Sequence, residues 1–79
     1  MKITFIEHAL ERMKERRITK DEVINAISEP DHVGKGYGGR EVSQKHIDGK
    51  LLRVIYERHG DEIVVITAYK TSKVERYLR

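Results

Sequence analysis

The sequence predicts an α+β fold in which two N-terminal helices pack on one face of a mainly antiparallel, four-stranded sheet. Apolar residues recur at helical spacing in two segments of the first 30 residues, whereas polar and apolar residues alternate in the second half, as in strands. The dipeptide Asp48-Gly49 lies between two of these strands and is a strong signal for a two-residue hairpin turn. The 79 residues form a single domain, residues 1–79, because a second domain would be too small to support its own core.

The N-terminal part of the chain is predicted as one strand followed by two helices. Lys2 to Phe5 alternates between polar and apolar residues and predicts a short strand. Apolar residues at helical spacing from Ile6 to Met13 indicate the first helix. Thr19 to Glu22 is a capping box that starts the second helix, and Pro30 ends it because proline excludes helical geometry from the residue before it.

The C-terminal part is predicted as a loop, a three-stranded meander and one helical turn. Residues 31–40 contain four glycines and form a surface loop with at most a short piece of strand. The three strands are Glu41–Ile47, Lys50–Glu57 and Glu62–Tyr69. A second capping box at Ser72 to Glu75 predicts a last helical turn that ends at Tyr77-Leu78.

Composition limits the kinds of site that the chain can hold. The chain has no cysteine, which excludes disulfides and thiolate metal sites. Its four histidines form no His-x-His or His-x-x-x-His pair and have no acidic cluster beside them, so we expect neither a metal nor another cofactor. No signal peptide and no membrane-spanning run of about 18–20 apolar residues is present, which predicts a cytoplasmic protein without membrane contact.

Charge is unevenly distributed along the chain. The formal net charge is +3, and charged residues make up 37% of the sequence. Residues 1–30 carry six basic and six acidic side chains, whereas residues 31–79 carry ten basic and seven acidic ones. The excess of positive charge in the second half favours a partner recognised by charge, either RNA or an acidic protein segment.

One line of polar side chains follows the first predicted helix. His8, Arg12 and Arg16 recur at four-residue spacing and therefore lie along one flank, since positions i and i+4 are neighbours on a helix surface. An imidazole beside two guanidinium groups can hold a phosphate or move a proton. The alternative is a solvated flank paired with the neighbouring glutamates, each pair contributing a few tenths of a kcal/mol.

The Asp48-Gly49 turn also predicts which strand residues share a face of the sheet. It sets Lys45 opposite Leu52, Ser43 opposite Val54 and Glu41 opposite Tyr56 on one face, and His46 opposite Leu51, Gln44 opposite Arg53 and Val42 opposite Ile55 on the other. A three-residue loop from His59 to Asp61 would then set the pairs between the second and third strands of the meander. The row facing the helices would pair Tyr56 with Val64, Val54 with Ile66 and Leu52 with Ala68. The opposite row would pair Arg53 with Thr67, Leu51 with Tyr69 and Ile55 with Val65. The face away from the helices would gather His46, Gln44, Arg53, Thr67 and Tyr69.

That face has two interpretations. Polar residues on the solvated side of an antiparallel sheet are the ordinary outcome. The functional interpretation is an RNA-binding face, with Arg53 for phosphate, Tyr69 for stacking or proton donation and His46 for proton transfer. Further candidates for contact with RNA are Lys45, Gln44, Arg40, Lys70 and Lys73.

The sequence resembles a known family over nearly its whole length. The resemblance rests on Phe5-x-x-His8-Ala9-x-x-Arg12-Met13-x-x-Arg16-x-Ile18-Thr19-x-x-Glu22-Val23-x-x-Ala26-Ile27-x-x-Pro30, then on Gly-x-Leu52-x-Val54-x-Tyr56 and Ile66-Thr67-x-Tyr69. These segments are similar to small prokaryotic domains of unknown function grouped with the barnase–EndoU–colicin–RelE ribonuclease superfamily. The resemblance implies a RelE-like fold and metal-independent RNA cleavage. His8 and Arg12 match the family's helix-borne His and Arg, and Arg16 is a weaker match.

The expectation is therefore an endoribonuclease of RelE-like toxin type that acts by 2′-hydroxyl attack on phosphate. His46 or His8 would act as base or acid, and Arg12 and Arg53 would bind the phosphate. The alternative is a non-catalytic module that binds RNA or an acidic peptide. A further reading is the toxin half of a pair in which an acidic antitoxin covers the basic face. Exposed edge strands also permit a homodimer through strand pairing.

Overall fold

A computed structural model describes residues 1–78 as five strands and three helices. The strands are β1 (Lys2–Phe5), β2 (His32–Lys35), β3 (Glu41–Ile47), β4 (Lys50–His59) and β5 (Glu62–Thr71). The helices are α1 (Glu7–Glu15), α2 (Lys20–Ser28) and α3 (Val74–Tyr77), and a short 3-10 turn covers Tyr37–Gly39. The predicted α+β class is confirmed.

The sheet is mixed and has five strands, in the order β1-β5-β4-β3-β2. β1 runs parallel to β5, whereas the remaining neighbours are antiparallel. The predicted count of four strands was wrong, because β2 lies within the segment that was interpreted as a loop. All four residues of β2 are exposed, so this edge strand lacks the buried, alternating apolar pattern by which strands are recognised.

Helices α1 and α2 cover one face of the sheet and enclose the core. The core is formed by Ala9, Met13, Ile18, Val23, Ala26, Ile27, Leu52, Val54, Tyr56, Ile63, Val65 and Ala68. The capping box of α2 is confirmed, since the Glu22 N–H donates to Thr19 Oγ1 at 3.1 Å and the Thr19 N–H donates to Glu22 Oε1 at 2.9 Å. These bonds satisfy two backbone donors that a helix start otherwise leaves without partners.

The β3–β4 hairpin has the predicted register. Ser43 lies opposite Val54 and Gln44 lies opposite Arg53, as the Asp48-Gly49 turn requires. Both turn residues have positive φ angles, 49° at Asp48 and 77° at Gly49, which is the geometry that Asp-Gly pairs favour in tight hairpins.

The β4–β5 register differs from the prediction for two reasons. The turn holds only two residues, so His59 pairs with Glu62, and a bulge leaves Ile66 without a partner on β4. The prediction that Val64 and Ile66 face the helices is therefore wrong, and the strand buries Ile63 and Val65 instead, whereas the predicted core position of Ala68 is confirmed. Beyond the bulge the offset is two residues, so each side chain keeps its predicted face although its partner changes.

The three helices are short, with nine residues in α1 and α2 and four in α3. The predicted C-terminal helical turn is confirmed as α3, but its predicted capping box is absent: Lys73 is the N-cap and makes no side-chain capping bond. No helix within residues 1–78 is long and apolar enough to cross a membrane.

The buried pair of hydroxyl groups in the core gives a stability prediction. Ser43 and Tyr56 are 0% and 2% exposed, and their oxygens share a hydrogen bond of 2.9 Å. Tyr56→Phe leaves the Ser43 hydroxyl buried without this partner, so we expect the free energy of unfolding to fall by about 1–3 kcal/mol. Chemical denaturation measures the loss.

The matched control is the double variant Ser43→Ala with Tyr56→Phe, which removes both polar groups together. We expect it to unfold at a higher denaturant concentration than Tyr56→Phe alone, since neither hydroxyl is then left unsatisfied. A single variant as stable as the wild type would show that the hydrogen bond contributes nothing.

Candidate nucleic-acid interface

Helices α1 and α2 cover only one face of the sheet. Along β4, Leu52 and Val54 point into the core beneath α1 and α2, so the alternating residues Leu51, Arg53 and Ile55 lie on the opposite side. We call this opposite side the open face. This face is only partly solvated, since Leu51 and Gln44 are buried whereas Arg53 is half-buried. A partner can reach its exposed side chains, and their chemistry decides which partner.

Four polar residues form a row across the open face. The strand register aligns His32 of β2 with Gln44 of β3, Gln44 with Arg53 of β4, and Arg53 with Tyr69 of β5. We call His32, Gln44, Arg53 and Tyr69 the polar row. Residues directly opposite each other on neighbouring strands have Cβ atoms about 4.5–5.5 Å apart, so the four side chains form one continuous strip.

Arg53 is held in place at the centre of the polar row. Its Nε donates to Gln44 Oε1 at 2.9 Å, and its Nη1 donates to the hydroxyl of Tyr69. The guanidinium carbon lies 4.1 Å from the ring centre of Tyr77 on α3 and 5.5 Å from that of Tyr69. Hydrogen bonds in its plane and aromatic rings against it restrict the guanidinium, so the positive charge is preorganised.

Tyr69 keeps its proton over a wider pH range than an exposed tyrosine. Partial burial raises the pKa of Tyr69, the Arg53 charge and hydrogen bond lower it, and the contact with Tyr77 raises it again, with a net upward shift. The rings of Tyr69 and Tyr77 meet edge to face, with centroids 6.5 Å apart. The polar row therefore ends in a neutral phenol that can accept or donate a hydrogen bond at neutral pH.

Two histidines lie beside this centre. The exposed rings of His32 and His46 meet edge to face with centroids 5.6 Å apart. The backbone N–H of His46 donates to Asp31 Oδ2 at 2.8 Å; this bond is the largest cause of the lowered pKa of the Asp31 carboxyl, to which the nearby Lys45, His46 and His32 charges add. Residues 1–78 contain no group of three or more histidine, aspartate or glutamate side chains that could hold a metal ion. The two imidazoles are accessible groups for proton transfer.

The structure does not bring the helix line to this site. His8 is exposed on α1, in the helix layer on the other side of the sheet, and Arg12 pairs with Glu15 at 3.2 Å. Arg16 alone contacts the sheet, because its Nη1 donates to the backbone oxygen of Ala68 at 3.0 Å and approaches Thr67 Oγ1 at 3.4 Å. The four-residue spacing predicted a shared flank, but that flank does not face the polar row.

Two of the lysines proposed for RNA contact have structural partners on the side of the helices. Lys45 Nζ donates to the backbone oxygen of Glu29 at 2.7 Å, at the C-terminal end of α2. Lys70 Nζ pairs with Glu22 Oε2 at 3.2 Å, which helps to lower the pKa of the Glu22 carboxyl after the larger effect of its hydrogen bond from the Thr19 backbone. Both lysines thus tie α2 to the sheet.

The other two basic candidates lie in different parts of the fold. Lys73 is exposed at the start of α3. Arg40 follows the 3-10 turn, and its Nε pairs with Glu57 Oε2 at 3.2 Å, while Glu57 Oε1 lies 3.0 Å from Nε2 of His59. Hydrogen bonds from His59 and then Arg40 lower the pKa of Glu57. Glu57 alternates with Tyr56 and so belongs to the open face.

Sequence reasoning missed His32 and Tyr77 as members of this site. His32 joins the polar row only through the pairing of β2 with β3, and that strand carries no apolar signal of its own. Tyr77 reaches Arg53 because the chain turns back after β5, and nothing local in residues 72–78 encodes that direction. The one sequence signal that could have pointed to Tyr77 was its position on a predicted helical turn.

The contact between Arg53 and Tyr69 gives a pH prediction. In the wild type the positive charge of Arg53 favours the phenolate form of Tyr69. Arg53→Ala removes that charge and should therefore raise the pKa of Tyr69 further. The phenolate absorbance during alkaline titration measures the shift, and Tyr69→Phe identifies the Tyr69 component by removing it. An unchanged Tyr69 midpoint would contradict the assigned contact.

The same shift fixes how Tyr69 affects stability. The folded state favours the neutral phenol. The stability that Tyr69 contributes is therefore fully present below the ordinary tyrosine pKa and is lost as the pH rises through the raised pKa of Tyr69. Denaturation midpoints across this alkaline range should therefore fall less in Tyr69→Phe than in the wild type.

Comparison with known proteins identifies a family. The family described as "Domain of unknown function (DUF4258)" matches residues 5–70, which include the whole polar row and exclude α3. No curated protein and no solved structure gives a match. Because the match spans most of the 79 residues, the chain belongs to the DUF4258 family.

Proposed function

We propose that the protein is a metal-independent endoribonuclease of RelE-like toxin type that acts by attack of the ribose 2′-hydroxyl on the adjacent phosphate. The observation that carries the proposal is the preorganised Arg53, bonded to Gln44 and Tyr69 on the sheet face that α1 and α2 leave uncovered. The resemblance to the barnase–EndoU–colicin–RelE superfamily supports the same reaction class.

Arg53 is the phosphate-binding group of this proposal. Its Nε and Nη1 are engaged by neighbours, which leaves the remaining N–H groups to donate to phosphate oxygens. In the transition state the phosphorus is bonded to five oxygens and carries extra negative charge. A fixed guanidinium stabilises that charge without first having to reorganise.

His46 and His32 carry out the two proton transfers of this proposal. One imidazole takes the proton of the 2′-hydroxyl as the 2′-oxygen forms its bond to phosphorus. The bond from phosphorus to the 5′-oxygen breaks, and the other, protonated imidazole gives that oxygen its proton. The products are a 2′,3′-cyclic phosphate and a 5′-hydroxyl. His46 lies diagonally from Arg53 across β3 and β4, a separation of about 7–8 Å that a nucleotide can bridge.

A non-catalytic RNA-binding module is the second candidate, and one contact favours it. The Tyr77 ring lies 4.1 Å from the Arg53 guanidinium carbon and covers one side of the group that would stabilise the transition state. In this alternative Tyr69 and Tyr77 stack on bases and Arg53 holds a phosphate without turnover. An acidic protein segment, such as an antitoxin, would bind to the same Arg53 guanidinium.

Cleavage of a defined RNA in the presence of a chelator separates the two candidates. We expect Arg53→Ala to lower the cleavage rate about 10²–10³-fold, as the loss of one fixed transition-state donor does. Each of His46→Ala and His32→Ala should cost about 10²–10⁴-fold, the range for general acid–base groups. Product analysis should find the cyclic phosphate.

The matched control is Lys14→Ala, which removes an exposed positive charge from α1 in the helix layer. Its cleavage rate should equal that of the wild type. If the protein binds RNA but does not cleave it in the presence of a chelator, the nuclease proposal is refuted and the RNA-binding module is favoured. Full cleavage by the Arg53 and His46 variants would refute this site.

A further inference from the structure

A second concave site lies where β2 and β3 are joined. A cavity of about 410 Å³ is lined by Val33, Gly34, Lys35, Gly39, Arg40 and Glu41. We call this cavity the loop pocket. A side-chain carbon added at Gly34 or Gly39 would meet no atom within 4 Å, so open space adjoins the backbone at both positions. A ligand can therefore approach the main chain closely here.

One aromatic side chain beside the loop pocket has no packing role. Tyr37 lies in the 3-10 turn between β2 and β3 and is 98% exposed, more than the other large apolar side chains of residues 1–78. A second apolar residue of this segment, Val33, is 60% exposed. An aromatic ring that buries almost nothing in its own fold is available to stack on a planar group of a partner.

The loop pocket also carries an uncompensated positive charge. Glu41 pairs with Arg58 at 2.9 Å and Arg40 pairs with Glu57 at 3.2 Å, so these lining charges are balanced. Lys35 makes no ion pair with any carboxylate of residues 1–78. The pocket is therefore suited to an anion.

The loop pocket lies next to the polar row along the edge strand β2. Gly34 follows His32 by two residues along β2, a distance of about 7 Å, and lies opposite Val42. Arg40 lines the pocket and also bonds Glu57 on the open face. Lys35 alternates with Gly34 and lies on the same side of the sheet as Glu41, so an RNA chain bound at Arg53 would pass round the edge strand β2 to reach Lys35.

We propose that the loop pocket is a second nucleotide subsite for single-stranded RNA, in which Lys35 contacts a phosphate and Tyr37 stacks on a base. This inference rests on the proposed function, because the first subsite is the polar row. RNA supplies an anion and a planar ring in every nucleotide, which matches the two free groups here. An acidic peptide supplies the charge but offers no ring for Tyr37.

The test measures binding of two RNAs whose reactive 2′-hydroxyls are blocked by methylation. One is an oligonucleotide of about eight residues, long enough for both subsites, and the other is a dinucleotide. Tyr37→Ala should weaken binding of the longer RNA roughly 5- to 150-fold, the effect of a lost base–aromatic stack, whereas Tyr37→Phe should retain it. Lys35→Ala should reduce the salt dependence by about one phosphate contact. Neither change should alter dinucleotide binding.

The controls separate failure of this subsite from failure of the proposed function. Lys14→Ala, a charge removed from α1, should bind both RNAs as the wild type does. If Arg53→Ala weakens both RNAs while the Lys35 and Tyr37 variants weaken neither, the second subsite is overturned alone. If the wild type binds no RNA, both proposals fail. If a polyglutamate peptide displaces the longer RNA, and this displacement requires Lys35 and Tyr37, the pocket binds an acidic protein and the inference is overturned.

Discussion

The register of the β3–β4 hairpin is the constraint on which both the core and the candidate site depend. The left-handed pair Asp48-Gly49 closes a turn of fixed length and so fixes which residues face each other. Side chains alternate across a sheet, and a slip by one residue would exchange its two faces. The same register that buries Ser43 against Tyr56 places Gln44 and Arg53 together on the opposite face, so packing and chemistry cannot vary independently in this hairpin.

Features set by neighbouring residues could be predicted from the sequence. The capping box that begins at Thr19 and the Asp48-Gly49 turn each act over a few residues, which is why α2 and the β3–β4 register agree with expectation. The face that carries Gln44, Arg53 and Tyr69 was also correct, although the partner assigned to Arg53 was not. The turn before β5 is one residue shorter than predicted, and the bulge shifts the pairing by one more residue. The register is therefore displaced by two residues in total, which leaves each side chain beyond the bulge on its predicted face.

Features that depend on distant parts of the chain could not be predicted. β2 exists because β3 offers a free edge to pair with, and its own residues show no apolar alternation. Tyr77 comes to Arg53 only after the chain reverses at the end of β5. The side of the sheet on which His8 and Arg12 lie depends on helix packing, because four-residue spacing defines a flank but not what the flank faces.

The contact of Arg16 with β5 covers part of an edge of the sheet. β1 ends at Phe5 opposite Val65, so the last part of β5 has a strand neighbour on one side only. Unpaired backbone groups along such a segment are a template for foreign strands. The Arg16 guanidinium donates to the Ala68 carbonyl, and Ala68 is fully buried, so this part of the β5 edge is covered. A side chain first noticed for its spacing to a histidine thus takes an acceptor that a foreign strand would need.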